Sequence, residues 1–157
     1  DADVVLVGEM RDRETIAAAV AAAEMGMLVF GTLHTNGCAK TIDRIVDAFP
    51  ASEQPQIRLS LSESLAAIVS QLLVKKVGGG RVAANEILLR TQGLPNVIRE
   101  SNTQMINSII QSGRAQGMIA MDDALAAHLA AGSITAEDAY AKANEKARFE
   151  SQLTPDA

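Results

Sequence analysis

Apolar residues fall along this chain in two rhythms, and the changes between them mark out the elements. Val4-Val5-Leu6-Val7 is apolar at every position and closes on Gly8-Glu9, the pattern of a strand covered by helices on both faces. Residues 14 to 25 are rich in alanine, with Ile16 and Val20 at helical spacing. Asp12 or a near neighbour is placed to cap that helix and Gly26 to stop it. Leu28-Val29-Phe30-Gly31-Thr32-Leu33 reads as a second buried strand ending at His34-Thr35. Strand, helix and strand of these lengths form a βαβ unit with parallel strands. Such a unit brings Glu9 and His34 out at the same edge of the sheet.

Asn36-Gly37 makes a turn, and Ile42, Ile45, Val46 and Phe49 define an amphipathic helix stopped by Pro50. A long helix is predicted over about residues 53 to 76. Its buried stripe is Ile57, Leu61, Leu65, Ile68, Val69 and Leu72, and Pro55 sits in its first turn. Gly78-Gly79-Gly80 ends it as a plain turn, since a phosphate loop would follow a strand and carry a Lys-Ser/Thr pair. Residues 81 to 89 read as a strand. Beyond them the pattern is helical: a short helix with Pro95 near its start, then one capped by Asn102 with Met105, Ile106, Ile109 and Ile110 on one face and Gly113 after it. A helix over about 121 to 131 stops at Gly132, and Thr135 with Asp138 is a capping-box-like start for the last. The change near residue 90 divides the chain into 1–90 and 91–157. There is no solenoid-like repeat, and residues 151 to 157 are expected to fray.

Composition narrows the function. The 157 residues suffice for one domain with a real core. A net charge of −5, no basic block and 3% aromatic residues argue against sequence-independent nucleic-acid binding. The single cysteine, Cys38, excludes an intrachain disulfide and suits a reducing compartment. No apolar run approaches the length of a membrane span, so no direct membrane insertion is expected. The chain opens Asp-Ala-Asp, without an initiator Met or signal peptide and almost inside a strand, which looks like a cut.

Glu9 is the first candidate for chemistry. Ligands of open α/β sheets gather beyond the carboxyl ends of the strands, and in nucleotide hydrolases an acid there holds Mg²⁺, usually through water. The competing reading is an ordinary loop residue or helix cap. Cys38 near a helix start invites a lowered pKa, but no acid or histidine is arranged around it in sequence, and a small packing residue is the simpler reading. His128 in a late helix and the six methionines are read as packing.

Four blocks, VVLVGEMRDRETI, LVFGTLHT, AKTIDRIVDAFP and GGGRVAANEILL, resemble in order and separation the C-terminal half of the type IV pilus retraction (twitching motility) ATPases, the PilT-like family of secretion ATPases. The match runs from residue 1 to about 140. Related type II secretion ATPases share the Glu and His boxes but usually carry a four-cysteine insert that this chain lacks. The resemblance implies an α/β fold, the C-terminal part of a RecA-like P-loop NTPase domain (a parallel sheet with flanking helices), followed by a helical C-terminal region. It implies a homo-hexamer that binds ATP and Mg²⁺ and works on an inner-membrane pilus platform protein, at the cytoplasmic face of the bacterial inner membrane. No nucleic-acid partner is implied.

Carried over by position, the resemblance makes Glu9 look like the Walker B carboxylate that organises Mg²⁺ and water. His34 likewise looks like the His-box residue that senses the γ-phosphate, a task suited to a donor that also carries charge near pH 7. Arg11 and Thr35 lie beside them as nucleotide-binding candidates. Asn96, Ile98, Arg99 and Glu100 match part of a retraction motif. Met27 stands where the family commonly has the first histidine of the His box, and Pro95 replaces the motif's arginine. No GxxxxGK[ST] occurs, and the acidic box that supplies the general base is missing. One carboxylate and one histidine do not replace a phosphate cradle, so this chain alone is not expected to hydrolyse ATP. The rivals are a non-catalytic module docking on a motor ring, and a pilus-extension or type II secretion ATPase. A RecA-type recombinase fits poorly with the acidic charge and scarce aromatics.

Overall fold

The computed structural model describes residues 2–153. Val4–Val7 (β1) and Leu28–Gly31 (β2) pair in parallel, Val4 opposite Leu28 and Val7 opposite Gly31, with helix Arg13–Glu24 (α1) between them in sequence. Asp12 caps α1, accepting from the Thr15 N–H at 2.9 Å and its hydroxyl at 3.0 Å, which satisfies a donor the helix leaves orphaned. The pairing runs on past the strand ends: the Met10 N–H donates to the Thr32 carbonyl at 2.9 Å, and the Thr32 hydroxyl to the Gly8 carbonyl at 2.5 Å.

One expectation for these strands fails. Side chains alternate between faces, and on one face Val4, Leu6, Leu28 and Phe30 are 57, 75, 50 and 54% exposed. Only the opposite face, with Val5, Val7 and Val29, is half-buried. The apolar run thus meets helical cover on one side only. Among the described residues β1 pairs with β2 alone.

Cys38–Asp47 (α2) buries Cys38, Thr41, Ile42, Ile45 and Val46, and Phe49 follows them inside before Pro50. The long helix predicted for 53–76 is two elements. Gln54–Ser64 (α3) has Pro55 in its first turn and ends there, and Ala67–Lys75 (β3) is a strand. Two causes stop the helix. Ser62 and Ser64 turn their hydroxyls back onto the carbonyls of Leu59 and Ser60, competing with the helical ladder. The Arg90 guanidinium then donates to the carbonyls of Ser62, Glu63 and Leu65 at 3.2, 2.9 and 3.1 Å, a cation at the negative end of the helix. Beyond it the burial alternates: Ile68, Ser70 and Val74 are buried, while Val69 and Leu73 are 63% and 49% exposed.

Arg81–Leu89 (β4) runs antiparallel to β3, Ala67 opposite Leu89 and Lys75 opposite Arg81. The chain reverses through Gly78, Gly79 and Gly80, all at φ between 77° and 107°, where a side chain would be strained. Among the described residues the α/β fold thus holds the expected parallel pairing in β1–β2 and, separate from it, an antiparallel pair in β3–β4.

Leu94–Arg99 (α4) begins with Pro95 at its second position. Asn102 makes no side-chain capping bond; a 3-10 turn over Thr103–Met105 leads into Ile106–Ser112 (α5), which buries Ile106 and Ile110. Met121–Ala130 (α6), Ala136–Lys142 (α7) and Ala147–Glu150 (α8) complete the chain. Thr135 caps α7, accepting from the Asp138 N–H at 3.1 Å. Of the residues expected to fray, 154–157 lie outside the described ones. Among the described residues two apolar cores form. Ile16, Ile42, Val46, Leu61, Leu88, Leu94, Ile98, Ile106 and Ile110 build one. Val74, Ala84, Leu125, Ile134, Ala139 and Phe149 build the other. Both draw on residues from either side of position 90.

Candidate active site

The β1–β2 ends converge as the βαβ reading requires. Glu9 and His34 follow the two parallel strands, and the bonds from Met10 to Thr32 and from Thr32 to Gly8 tie the strand ends together. A Cβ at Gly31 would lie 2.8 Å from both Sδ and Cε of Met10, so a larger residue there would push that side chain aside. At this junction the His34 Nε2 stands 2.9 Å from Glu9 Oε1, and Arg11 pairs with the same oxygen. His34 is 84% exposed and Glu9 26%. The Arg11 guanidinium holds the Glu9 carboxyl below the usual carboxylate range; partial burial opposes it, and His34 acts in the same direction as Arg11.

Arg11 and His34 close over Oε1 of Glu9 and shield it from solvent. A carboxylate kept ionised by two exposed side chains fits a hard cation that takes the place of one of them. The fit has a limit, since the described residues contain no group of three or more His, Cys, Asp or Glu able to hold a metal. Mg²⁺ here would take most of its ligands from water and phosphate oxygens, as it commonly does.

The other predicted residues lie elsewhere. The Thr35 hydroxyl is engaged with that of Thr41 at 2.7 Å, so it braces the start of α2. In α4, Ile98 is fully buried in the first core, and Arg99 bonds Asn96 on the helix's own surface; Glu100 is exposed just after α4. Pro95 is accommodated in the first turn of α4. Met27 lines a cleft of about 610 Å³ between the unpaired edge of β2 and β3, together with Met10, Thr35, Leu61 and Val69. Cys38 is buried, and that burial, with Glu86 nearby, pushes its thiol pKa up; it packs and is not activated. His128 bridges elements, Nε2 to the Ala83 carbonyl at 2.9 Å and Nδ1 to the Ser133 hydroxyl at 3.2 Å.

Sequence reasoning missed Glu86, which is 4% exposed. Its Oε1 accepts from the Cys38 N–H at 2.7 Å, and its Oε2 from the Met121 N–H at 3.3 Å. One signal was present: an acid between the apolar runs Val82-Ala83-Ala84 and Ile87-Leu88-Leu89 of one strand is retained inside only with partners.

An acid and an imidazole meet beyond the ends of parallel strands, and the type II/IV secretion system protein family matches residues 1–153; the chain belongs to that family. It is 52% identical over 149 residues to the type IV pilus retraction ATPase PilT of Pseudomonas aeruginosa, covering 95% of this chain and 43% of that protein. It is 54% identical over 144 residues to a twitching motility protein of Neisseria gonorrhoeae, covering 91% of this chain and 38% of that one. The crystal structure of the pilus retraction motor PilT with bound ADP matches with a TM-score of 0.84 and 45% identity, over 95% of this chain and 42% of that chain. The α/β fold is that of the PilT structure. The chain spans less than half the length of these relatives. No helix among the described residues is long and apolar enough to cross a membrane.

Proposed function

We propose that this chain is part of a hexameric motor ATPase that couples ATP hydrolysis to type IV pilus retraction. Glu9 serves as its Walker B carboxylate and His34 as its His-box residue. The observation that carries this is the 2.9 Å approach of His34 to Glu9 at the ends of paired parallel strands. Arg11 keeps Glu9 ionised and oriented. His34, largely exposed and touching that carboxylate, is suited to report an arriving phosphate to a neighbouring subunit. Mg²⁺, when bound beside Glu9, supplies the charge that draws the β- and γ-phosphates into register.

The phosphate loop is assigned to the part of the protein these residues do not include, and on this reading the chain alone does not turn over ATP. The cleft between the β2 edge and β3 is assigned to a further strand of a RecA-like sheet, and the bare face of Val4, Leu6, Leu28 and Phe30 to the packing of the longer protein. The division near residue 90 is functional, separating the nucleotide-bearing part from helices that carry Asn96, Ile98, Arg99 and Glu100 as a retraction-like motif. The whole motor works on an inner-membrane platform protein from the cytoplasmic side.

The test is Glu9→Gln in the full-length protein, with turnover and nucleotide binding measured separately. Turnover should vanish while the protein stays folded; wild-type turnover would overturn the assignment. Absence of any Mg-ATP affinity by calorimetry in the unaltered protein would favour a docking module without catalysis. An ATPase that supports pilus assembly but not twitching would mark an extension motor.

A further inference from the structure

We propose that Glu86 is a positioning residue that fixes the loop carrying His34 and joins it to the N-terminus of α6. Its kinetic consequence rests on the ATPase reading above. Between His34 and α2 lie only Thr35, Asn36 and Gly37. The N-cap of α2 is Gly37, at φ +105°, which offers no side-chain acceptor. The acceptors come from the β3–β4 hairpin instead. Ser70 Oγ accepts from the Gly37 N–H at 2.7 Å, and Glu86 Oε1 from the Cys38 N–H at 2.7 Å.

The second oxygen of Glu86 does the same for another helix. Oε2 accepts from the N–H of Met121, the first residue of α6, whose N-cap Ala120 has no acceptor either. A carboxylate at a helix N-terminus meets orphaned N–H groups and the favourable end of the macrodipole; Glu86 meets two such ends at once. Both of its oxygens are committed, so neither helix start moves without disturbing the acceptor of the other. From α6 the connection continues: Asp122 accepts from the N–H groups of Asn144 and Glu145 at 2.8 Å each, and Asp123 pairs with Arg114 and Arg148. A displacement of the His34 loop therefore reaches α6, and through it α7 and α8, by way of one buried side chain.

Turnover of Glu86→Gln, His34→Ala and the double variant in the full-length protein provides the test. Gln keeps the size of the side chain but turns one acceptor into a donor. Glu86→Gln should lower kcat about tenfold with KM for ATP kept within about twofold, a loss confined to the chemical step. It should add nothing to the loss caused by His34→Ala, because contributions that run through one group are not additive. Equal losses in both backgrounds, or an unchanged kcat, overturn the role of Glu86 and leave the ATPase reading standing. Unchanged turnover in His34→Ala overturns the reading of His34 and this proposal with it. Where a variant does not fold or leaves no measurable turnover, hydrogen exchange on the unaltered protein decides. Mg-ADP should slow exchange over residues 34–41 and 119–125 together; slowing in the first segment alone overturns the coupling.

Discussion

Glu9 stands at the end of β1, with one oxygen covered by two exposed side chains, Arg11 and the His34 imidazole. Glu86 lies inside β4 with main-chain amides on both oxygens. The two acids have the same chemistry and different partners. A buried carboxylate held by main-chain amides on both oxygens fixes helices. One held only by exposed side chains, and kept ionised by one of them, can exchange those partners for a ligand. The surroundings agree. Around Glu9 the strands are bare on one face, whereas around Glu86 the hairpin and α6 are packed on buried Val74, Ala84 and Leu125.

Four measurements on the full-length protein sharpen or break that contrast. The largest effect belongs to Glu9→Gln, which should abolish ATP turnover yet leave the thermal midpoint nearly unchanged; a large fall in stability instead would make Glu9 a structural acid like Glu86. Phe149→Ala should do the reverse. It empties a fully buried aromatic site and should cost about 3–5 kcal/mol, measured by denaturant unfolding, with kcat per folded molecule retained.

Asp123 gives a smaller, pH-dependent effect. Burial alone would raise its pKa, but its bonds to Arg148 and Arg114 outweigh that and hold it below the ordinary carboxylate value. A depressed carboxyl contributes stability that is present above its unfolded pKa and lost as pH falls through the folded one. Thermal melts of wild type and Asp123→Asn should therefore differ at pH 7 and converge in acid below the ordinary carboxylate range. A gap that stays constant across pH would mean the ion pairs contribute nothing. The smallest effect is that of Thr135→Ala, which removes the α7 cap and should cost about 1 kcal/mol, with turnover untouched.

The βαβ unit was legible because its signals are local: an apolar run, a cap at Asp12, a stop at Gly26 and a second run ending in His34. The glycine turn and β4 were legible for the same reason. The segment 65–75 was not. Ile57, Leu61, Leu65, Ile68 and Leu72 satisfy helical spacing, apolar residues on both faces of β3 hide its alternation, and one of the two influences that end the helix is Arg90, far along the chain. Glu9 and His34 could be paired from the connection rule for parallel strands. Glu86 could not, since its partners are main-chain amides 48 and 35 positions away and leave no mark in the pattern of side chains. Asn102 shows the converse: a residue suited to capping that makes no such bond, because the chain enters α5 through a 3-10 turn.

The Arg90 guanidinium, together with the Ser62 and Ser64 hydroxyls, marks where residues 54–75 pass from helix to strand. Remove its charge and three carbonyls at the end of α3 lose their donor, so the strand that flanks the cleft would start from a less firmly held point. One wall of the opening beside β2 thus rests in part on a cation that follows the neighbouring strand.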